Sequence, residues 1–388
     1  MKCYDKINHD VLLGKMFNFG FSLSLLEFFA SYLQHRKQIV VYRDGDGNEI
    51  YSQPYTPSSS VPQGSCLSGL LFIIVIDGIG SAIQNSKYLL YADDFKLYRE
   101  INTENDCILL QQDLNSVVNW LEQNKLTLHK DKCESMSFSN SRTPIRFTYK
   151  INTHELTTLD VKKDLGVTFE KDFKFNVHIN NITTDAYRVL GLVQRQSKDF
   201  HNINTILILY KALVRSKLEY ASLVWNPHTE SNKNLIENVQ NKFVRHLFWK
   251  FNGFYPTYPN PISARLLCEQ LELDSLEMRR GVSSLTFIHD YMNNKIHCPT
   301  VQEEIHLAVP VTALRPRAGR GLFAFDSSCK NIYLKSTVPR GQVLFNHHSN
   351  SLDLAMHRES YNKGVAERLL KQTEDQYNWE QEEPHIQM

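Results

Sequence analysis

The sequence predicts an α+β chain, and three observations carry that reading. A strand–turn–strand signature surrounds Tyr91-Ala92-Asp93-Asp94, with Tyr88-Leu89-Leu90 before it and Phe95-Lys96-Leu97-Tyr98 after. Apolar residues recur at helical spacing upstream of this signature and over most of the chain beyond Val177. The apolar and charged fractions, 42% and 22%, are those of a globular protein, and 388 residues are ample for a core and about two to three domains.

Taken in order, His9-Asp10 opens a predicted helix with Val11, Leu12, Met16 and Phe17 on one face, ending near Gly20. A second helix carries Leu25, Phe28, Phe29 and Tyr32. Gln38 to Arg43 and Ile50 to Gln53 read as a hairpin around Asp44-Gly45-Asp46-Gly47-Asn48. That turn is not an EF-hand loop, because its sixth position is Glu49 rather than Gly and its twelfth is Tyr55 rather than Glu. One helix is expected from about Cys66 to Asn85, leading into the Asp-Asp hairpin. Leu110, Leu114, Val117, Val118 and Leu121 mark a further helix, followed by strands near 135–138 and 164–169. In the second half, Ile206, Leu209, Tyr210, Leu213, Val214 and Leu218 form one helical face, and Leu235, Val239, Phe243 and Leu247 another. The segment 251–261, rich in Pro, Asn and aromatic residues, reads as a connector and domain boundary. A helical stretch from Ala264 to Tyr291 and a loop-rich remainder complete the chain.

Composition narrows the function classes. The longest strongly apolar run, Leu70 to Ile76, is too short to span a bilayer, and Met1-Lys2-Cys3-Tyr4-Asp5 carries no signal-peptide core. The seven cysteines (Cys3, Cys66, Cys107, Cys133, Cys268, Cys298, Cys329) are scattered, without CxxC spacing. This argues for a reducing compartment and against a disulfide framework or zinc knuckle. The expectation is a soluble, intracellular protein with no membrane partner. A net charge of +1 is unremarkable, but between Arg188 and Lys250 basic residues clearly outnumber acidic ones, and the acidic residues of the C-terminal tail offset them. That basic segment suits phosphate contacts or, equally, a solvated helix face.

The adjacent Asp93 and Asp94 are expected at the tip of a buried hairpin. There they repel one another, and a fold keeps such a pair chiefly to hold a divalent cation. Carboxylate oxygens suit Mg²⁺, which takes one or two protein carboxylates and completes its shell with water and substrate phosphates. Taken alone, the tetrapeptide is also ordinary turn chemistry. It stands in a series, however. Tyr4-Asp5-Lys6-Ile7-Asn8-His9 precedes Val61-Pro62-Gln63-Gly64-Ser65, and Asn124-Lys125-Leu126-Thr127-Leu128 through Lys132 and Asp164-Leu165-Gly166-Val167-Thr168 follow. In order and spacing this set resembles the reverse transcriptase of non-LTR (LINE-type) retrotransposons. The later run from Leu218 to Pro227, with Arg265-Leu266 and Met278-Arg279-Arg280, resembles the region that follows the polymerase in such elements.

The resemblance implies a right-hand polymerase fold with a palm over 1–175 that lacks the fingers and the first strand. A helical thumb over 176–250 and a C-terminal helical and loop region of unknown role over 251–388 would follow. It implies two-metal nucleotidyl transfer with Mg²⁺, an RNA template, a DNA primer and dNTPs as partners. Asp93 and Asp94 match the hairpin carboxylates, with Asp93 bearing more of the metal. Tyr4 matches the aromatic gate against a ribose 2′-hydroxyl. Pro62, Gln63 and Gly64 match the loop that touches nucleotide and template. Lys132 matches the lysine that can protonate pyrophosphate, with a solvated lysine the competing reading, and Leu165 and Gly166 match the primer grip. Two departures stand out. Ser60 occupies a position where the family has Gly, so a Cβ falls in a loop that wants positive φ. Ser68-Gly69 replaces Gly-Pro.

The third metal-binding Asp of the family would fall two residues before Met1, and Asp5, leaving its strand in another direction, does not replace it. The expectation from sequence is therefore a reverse transcriptase fragment, inactive as this chain. The alternative is a non-catalytic RNA- or protein-binding remnant of the same domain. His347-His348, without ligand partners at metal spacing, reads as surface.

Overall fold

The computed structural model describes residues 3–34, 36–57, 59–62, 64–139, 141–254, 262–308, 321–325, 331–348 and 352–381. The chain divides into two compact units, Met1–Asp160 and Val161–Met388.

In the first unit, α1 (His9–Asn18) begins where the Asn8 side chain accepts the Val11 N–H at 3.1 Å. It ends before Gly20, whose φ of 83° is left-handed. Its buried stripe is His9, Leu12 and Met16, so Phe17 lies off the core face and is 62% exposed. Helix α2 (Leu23–Leu33) buries Phe29 and Leu33 and leaves Leu25 and Phe28 exposed. Strands β1 (Val41–Arg43) and β2 (Glu49–Tyr51) pair antiparallel. The Asp44 carboxylate shapes their turn by accepting the Asp46 and Asn48 N–H groups at 3.0 and 2.8 Å.

Helix α3 (Ser68–Ile76) is shorter than the sequence predicts. The chain leaves it at Asp77, turns left-handed at Gly78 (φ 87°) and makes a 3-10 turn over Ile79–Ala82. The Lys15 ammonium donates to the Val75 and Asp77 carbonyls at 2.7 and 2.9 Å. Those bonds satisfy carbonyls that a helix terminus would otherwise orphan. Leu12, Leu33, Leu71, Phe72, Val75 and Val117 meet in one core, each side chain contributing about 1.5–3 kcal/mol by burial.

Strands β3 (Lys87–Tyr91) and β4 (Asp94–Tyr98) form the expected hairpin. Helix α4 (Glu104–Gln123) opens on a capping box between Thr103 and Asp106. Short strands complete the unit: β5 (Glu134–Met136), β6 (Lys150–Ile151), β7 (His154–Glu155) and β8 (Thr157–Leu159). β5 pairs with β8 in parallel and β6 with β7 antiparallel. Among the described residues every sheet is two-stranded.

The second unit begins with a hairpin of β9 (Val161–Asp164) and β10 (Val167–Glu170). Val167 shares a core with α5 (Asn176–Gln196), and Phe169 packs against it. The strand expected near 164–169 is thus interrupted by a turn at Leu165-Gly166, and the hairpin packs with the helices of its own unit. α6 (Ile203–Leu209) runs through a π-turn over Tyr210–Arg215 into α7 (Ser216–Glu219), and α8 (Ser222–Trp225) and α9 (Glu230–Asn252) follow. Tyr210 stacks on Phe243 at 4.0 Å, and its hydroxyl donates to the buried Gln240 at 2.9 Å.

The single helical stretch expected from Ala264 to Tyr291 is two helices, α10 (Ala264–Gln270) and α11 (Leu276–Met292). Glu272 in the left-handed region (φ 51°) breaks it, and the Ser275 hydroxyl caps α11. The C-terminal region is more helical than expected. It holds α12 (Pro299–Glu303), α13 (Asn331–Leu334), α14 (Thr337–His348) and α15 (Arg358–Gln381), with Leu285, Ile288, Phe345, Tyr361 and Val365 in one core. Most of the predicted connector, 255–261, lies outside the described residues. Among the described residues no helix is long and apolar enough to cross a membrane.

Candidate active site

The Asp pair sits as its sequence context predicts, on a two-residue turn. Tyr91 pairs with Asp94, so Ala92 and Asp93 form the turn, with Ala92 left-handed at φ 49°. Asp93 is the turn residue and Asp94 the first residue of β4, which puts two carboxylates on one tip. The expectation of a buried tip does not hold. Asp93 and Asp94 are exposed, as are Leu89 and Tyr91 on β3 (53% and 66%). The reason is that the sheet stops at two strands here, so water screens the repulsion between the carboxylates. Among the described residues no hydrogen bond or ion pair occupies either one, and their oxygens are open to a cation.

The base of this hairpin is fixed by residues that the sequence reading passed over. Asp113, on α4 and 2% exposed, accepts the N–H groups of Gln84 and Asn85 at 3.1 and 2.9 Å and the Asn85 amide at 3.2 Å. Burial alone would raise its pKa. These bonds, the Gln84 N–H foremost, outweigh burial and hold the carboxyl below its ordinary value. At the far end of β4, Arg99 donates to the Asn85 carbonyl and to Asp106 at 2.9 Å. Arg99 first, then the Thr103 hydroxyl, hold the Asp106 carboxyl well below its usual range. The available signal was a lone Asp among the apolar positions of α4. A buried carboxylate there must find donors.

Tyr4 and the Pro62–Gly64 loop are brought together. The Val61 N–H donates to the Tyr4 carbonyl at 2.9 Å, and the Tyr4 ring lies 5.3 Å from that of Phe72 on α3. Ser60 does stand at positive φ, 96°. Its N–H donates to the Ile7 carbonyl at 2.9 Å, and its carbonyl accepts from His9 Nε2 at 2.8 Å, which is why a histidine occupies the core stripe of α1. Gly64 also has positive φ, 85°. The Ser68 hydroxyl, at the position where Gly-Pro was expected, donates to the Pro62 carbonyl. Gln63 lies outside the described residues.

Lys132 ends a 3-10 turn over Lys130–Lys132 and is exposed. Among the described residues it makes no hydrogen bond or ion pair with Asp93 or Asp94. Leu165 and Gly166 form the β9–β10 turn, both at positive φ (43° and 86°). The Tyr220 hydroxyl donates to the Leu165 carbonyl at 3.0 Å, and its ring would stand 2.9 Å from any Cβ added at Gly166. Gly166 is therefore required by both backbone and packing.

Mg²⁺ fits this donor set in type, since the paired carboxylates supply the hard oxygens it prefers. Among the described residues no group of three or more His, Cys, Asp or Glu side chains is placed to hold a metal, so the fit is that of a two-carboxylate site.

The family model for reverse transcriptase (RNA-dependent DNA polymerase) matches residues 1–194. Two curated Drosophila melanogaster proteins are similar to the chain. The probable RNA-directed DNA polymerase from transposon BS is 25% identical over 255 residues, 63% of this chain and 28% of that protein. The RNA-directed DNA polymerase from mobile element jockey is 24% identical over 262 residues, 63% of this chain and 27% of that protein. The chain spans little more than a quarter of the length of these relatives. No solved structure matches it. With the Asp-Asp hairpin, the Pro62–Gly64 loop and the second hairpin in the family's order, the chain belongs to the reverse transcriptases, with a domain of the non-LTR, LINE-type kind.

Proposed function

We propose that the chain contributes the catalytic hairpin of an RNA-directed DNA polymerase, with residues 1–175 serving as palm and 176–250 as thumb. The observation that supports this is the exposed tip carrying Asp93 and Asp94, anchored at its base through Asp113 and Arg99. Asp93 and Asp94 would hold Mg²⁺, which when bound supplies charge stabilisation at the primer 3′-hydroxyl and the triphosphate. Tyr4 limits room at the sugar, while the Pro62–Gly64 backbone lies against the base pair being formed. Lys132 donates a proton to the leaving pyrophosphate. Leu165 and Gly166 bear on the primer strand. Nucleic acid is gripped in part by α9, where Lys242, Arg245 and Trp249 are exposed within two turns. Cations interleaved with an aromatic ring suit a phosphate backbone and a stacked base.

Primer extension on an RNA template, together with Mn²⁺ binding followed by electron paramagnetic resonance, tests the reading. Asp93→Asn should weaken Mn²⁺ binding and remove whatever primer extension the chain supports, while the far-UV spectrum stays unchanged. Undiminished Mn²⁺ binding in an Asp93→Asn/Asp94→Asn double variant would remove the hairpin from the metal site. The second reading, nucleic-acid binding without synthesis, rests on the exposed cations of α9. It predicts salt-dependent RNA binding that survives loss of both Asp residues.

A further inference from the structure

Two arginines of the second unit turn their guanidinium groups inward with too few partners. Arg280, on α11, is 2% exposed, and its Nε donates to Asn226 Oδ1 at 3.0 Å. Its Nη1 and Nη2 are buried without a hydrogen-bond partner among the described residues. Arg340, on α14, donates from Nη1 to the Lys335 carbonyl at 3.0 Å and from Nη2 to the Leu223 carbonyl at 2.6 Å. Its buried Nε is likewise without a partner there. Both side chains thus reach one short stretch, Leu223 to Asn226 at the end of α8, and burial and then Arg280 draw the Arg340 pKa down to about 10. Half-buried His228, in the loop after α8, responds to burial and then to Arg340 and Lys335. Basic groups from three stretches of chain therefore converge on one place.

The carboxylates that Arg280 senses are committed elsewhere. Glu237 accepts the Glu277 N–H at 2.7 Å, Glu277 pairs with Lys233 at 2.7 Å, and Glu219 binds Arg279. A buried guanidinium left without an acceptor is strongly destabilising, and its planar fork matches the oxygens of an oxyanion. Water could satisfy the N–H groups but would bring no further negative charge to offset their burial. A phosphate group supplies several acceptor oxygens for the three unpartnered nitrogens and brings a negative charge beside both arginines.

We infer that Arg280 and Arg340, with His228 and Lys335 beside them, form an oxyanion site that takes a phosphate group, either free or within a nucleic-acid backbone. The site lies beyond residues 1–194, which the reverse transcriptase family model matches, and does not depend on the hairpin being catalytic.

The test uses the full chain, with thermal unfolding in inorganic phosphate against chloride at matched ionic strength, for wild type, Arg280→Met and Arg340→Gln. Phosphate should raise the wild-type Tm in a concentration-dependent way, and neither variant should respond. Without phosphate, Arg280→Met should be at least as stable as wild type, because apolar volume replaces a buried charged group with unpartnered nitrogens. The stability order then inverts when phosphate is added. A short RNA without terminal phosphates, followed by anisotropy, distinguishes the two sources. Competition by inorganic phosphate, with affinity falling about tenfold or more in Arg340→Gln, assigns the site to backbone phosphates. A response to inorganic phosphate alone assigns it to free phosphate. A wild-type Tm indifferent to phosphate, or a rise that persists in both variants, overturns the inference. Should Arg280→Met fail to fold, Arg340→Gln decides the matter, since Arg340 is less buried than Arg280.

Discussion

Replacing Ser60 by glycine should make this protein more stable. Ser60 holds φ at 96°, outside the range in which an L side chain is comfortable, and a residue forced there costs about 1–3 kcal/mol. Two backbone bonds hold it in place, the Ser60 N–H to Ile7 and the Ser60 carbonyl to His9, and glycine retains both. The hydroxyl contributes little, since its contact with Arg36 is long at 3.4 Å. Against the relief stands the larger entropy of an unfolded glycine, about 0.4–1 kcal/mol. The net expectation is a gain of about 1 kcal/mol, read in urea unfolding as a higher midpoint at unchanged slope. Ser60→Ala is the control, because it keeps the Cβ and loses only the hydroxyl, so it should not stabilise. If Ser60→Gly destabilises, or Ser60→Ala gains as much, the strain argument fails.

Asp113→Ala strands the buried N–H groups of Gln84 and Asn85, and a loss of about 3–5 kcal/mol is expected by chemical unfolding. A loss under about 1 kcal/mol would mean that the hairpin is not anchored there. Gly166→Ala places a Cβ 2.9 Å from the Tyr220 ring at a φ of 86° and should cost at least about 1–3 kcal/mol, with Tyr220→Ala relieving the clash but not the backbone strain. His178 is 2% exposed, and its Nδ1 accepts the Thr168 N–H at 3.1 Å, which requires a neutral ring. Burial, then Lys163, lowers its pKa from 6.5 to about 4. The unfolded chain therefore binds the proton more readily, and stability should fall as pH drops from about 6.5 toward 4, by up to about 3 kcal/mol. The same pH series on His178→Gln should be flatter over that window, and an equal slope would exclude His178 as its source.

Much of the site was written locally. Ala92-Asp93 reads as a tight turn between two apolar strands, whereas Leu165-Gly166 interrupts what reads as one strand near 164–169, because only Gly166 of that pair signals positive φ. The strain at Ser60 was legible for the same reason, because backbone preference belongs to the residue itself. The limits of α3 were not legible. Its apolar run continues toward Ile83, but it ends at Asp77 with Gly78 left-handed (φ 87°), and Lys15, distant in sequence, takes the freed Val75 and Asp77 carbonyls. Periodicity likewise gave the helical faces of α1 and α2 but not which edge of each face would be covered, so Phe17 and Phe28 came out exposed.

By itself, then, the sequence determined the order of the motifs, the Asp93–Asp94 hairpin turn and most of the helices, since these follow from spacing and from the φ each residue tolerates. Tertiary structure decided that the Asp93–Asp94 tip is solvent-exposed, that Asp113 and Arg99 hold its base, and that Arg280 and Arg340 both reach the Leu223–Asn226 stretch. Burial, and the partners that compensate it, come from segments far apart in the chain, and no local pattern encodes them.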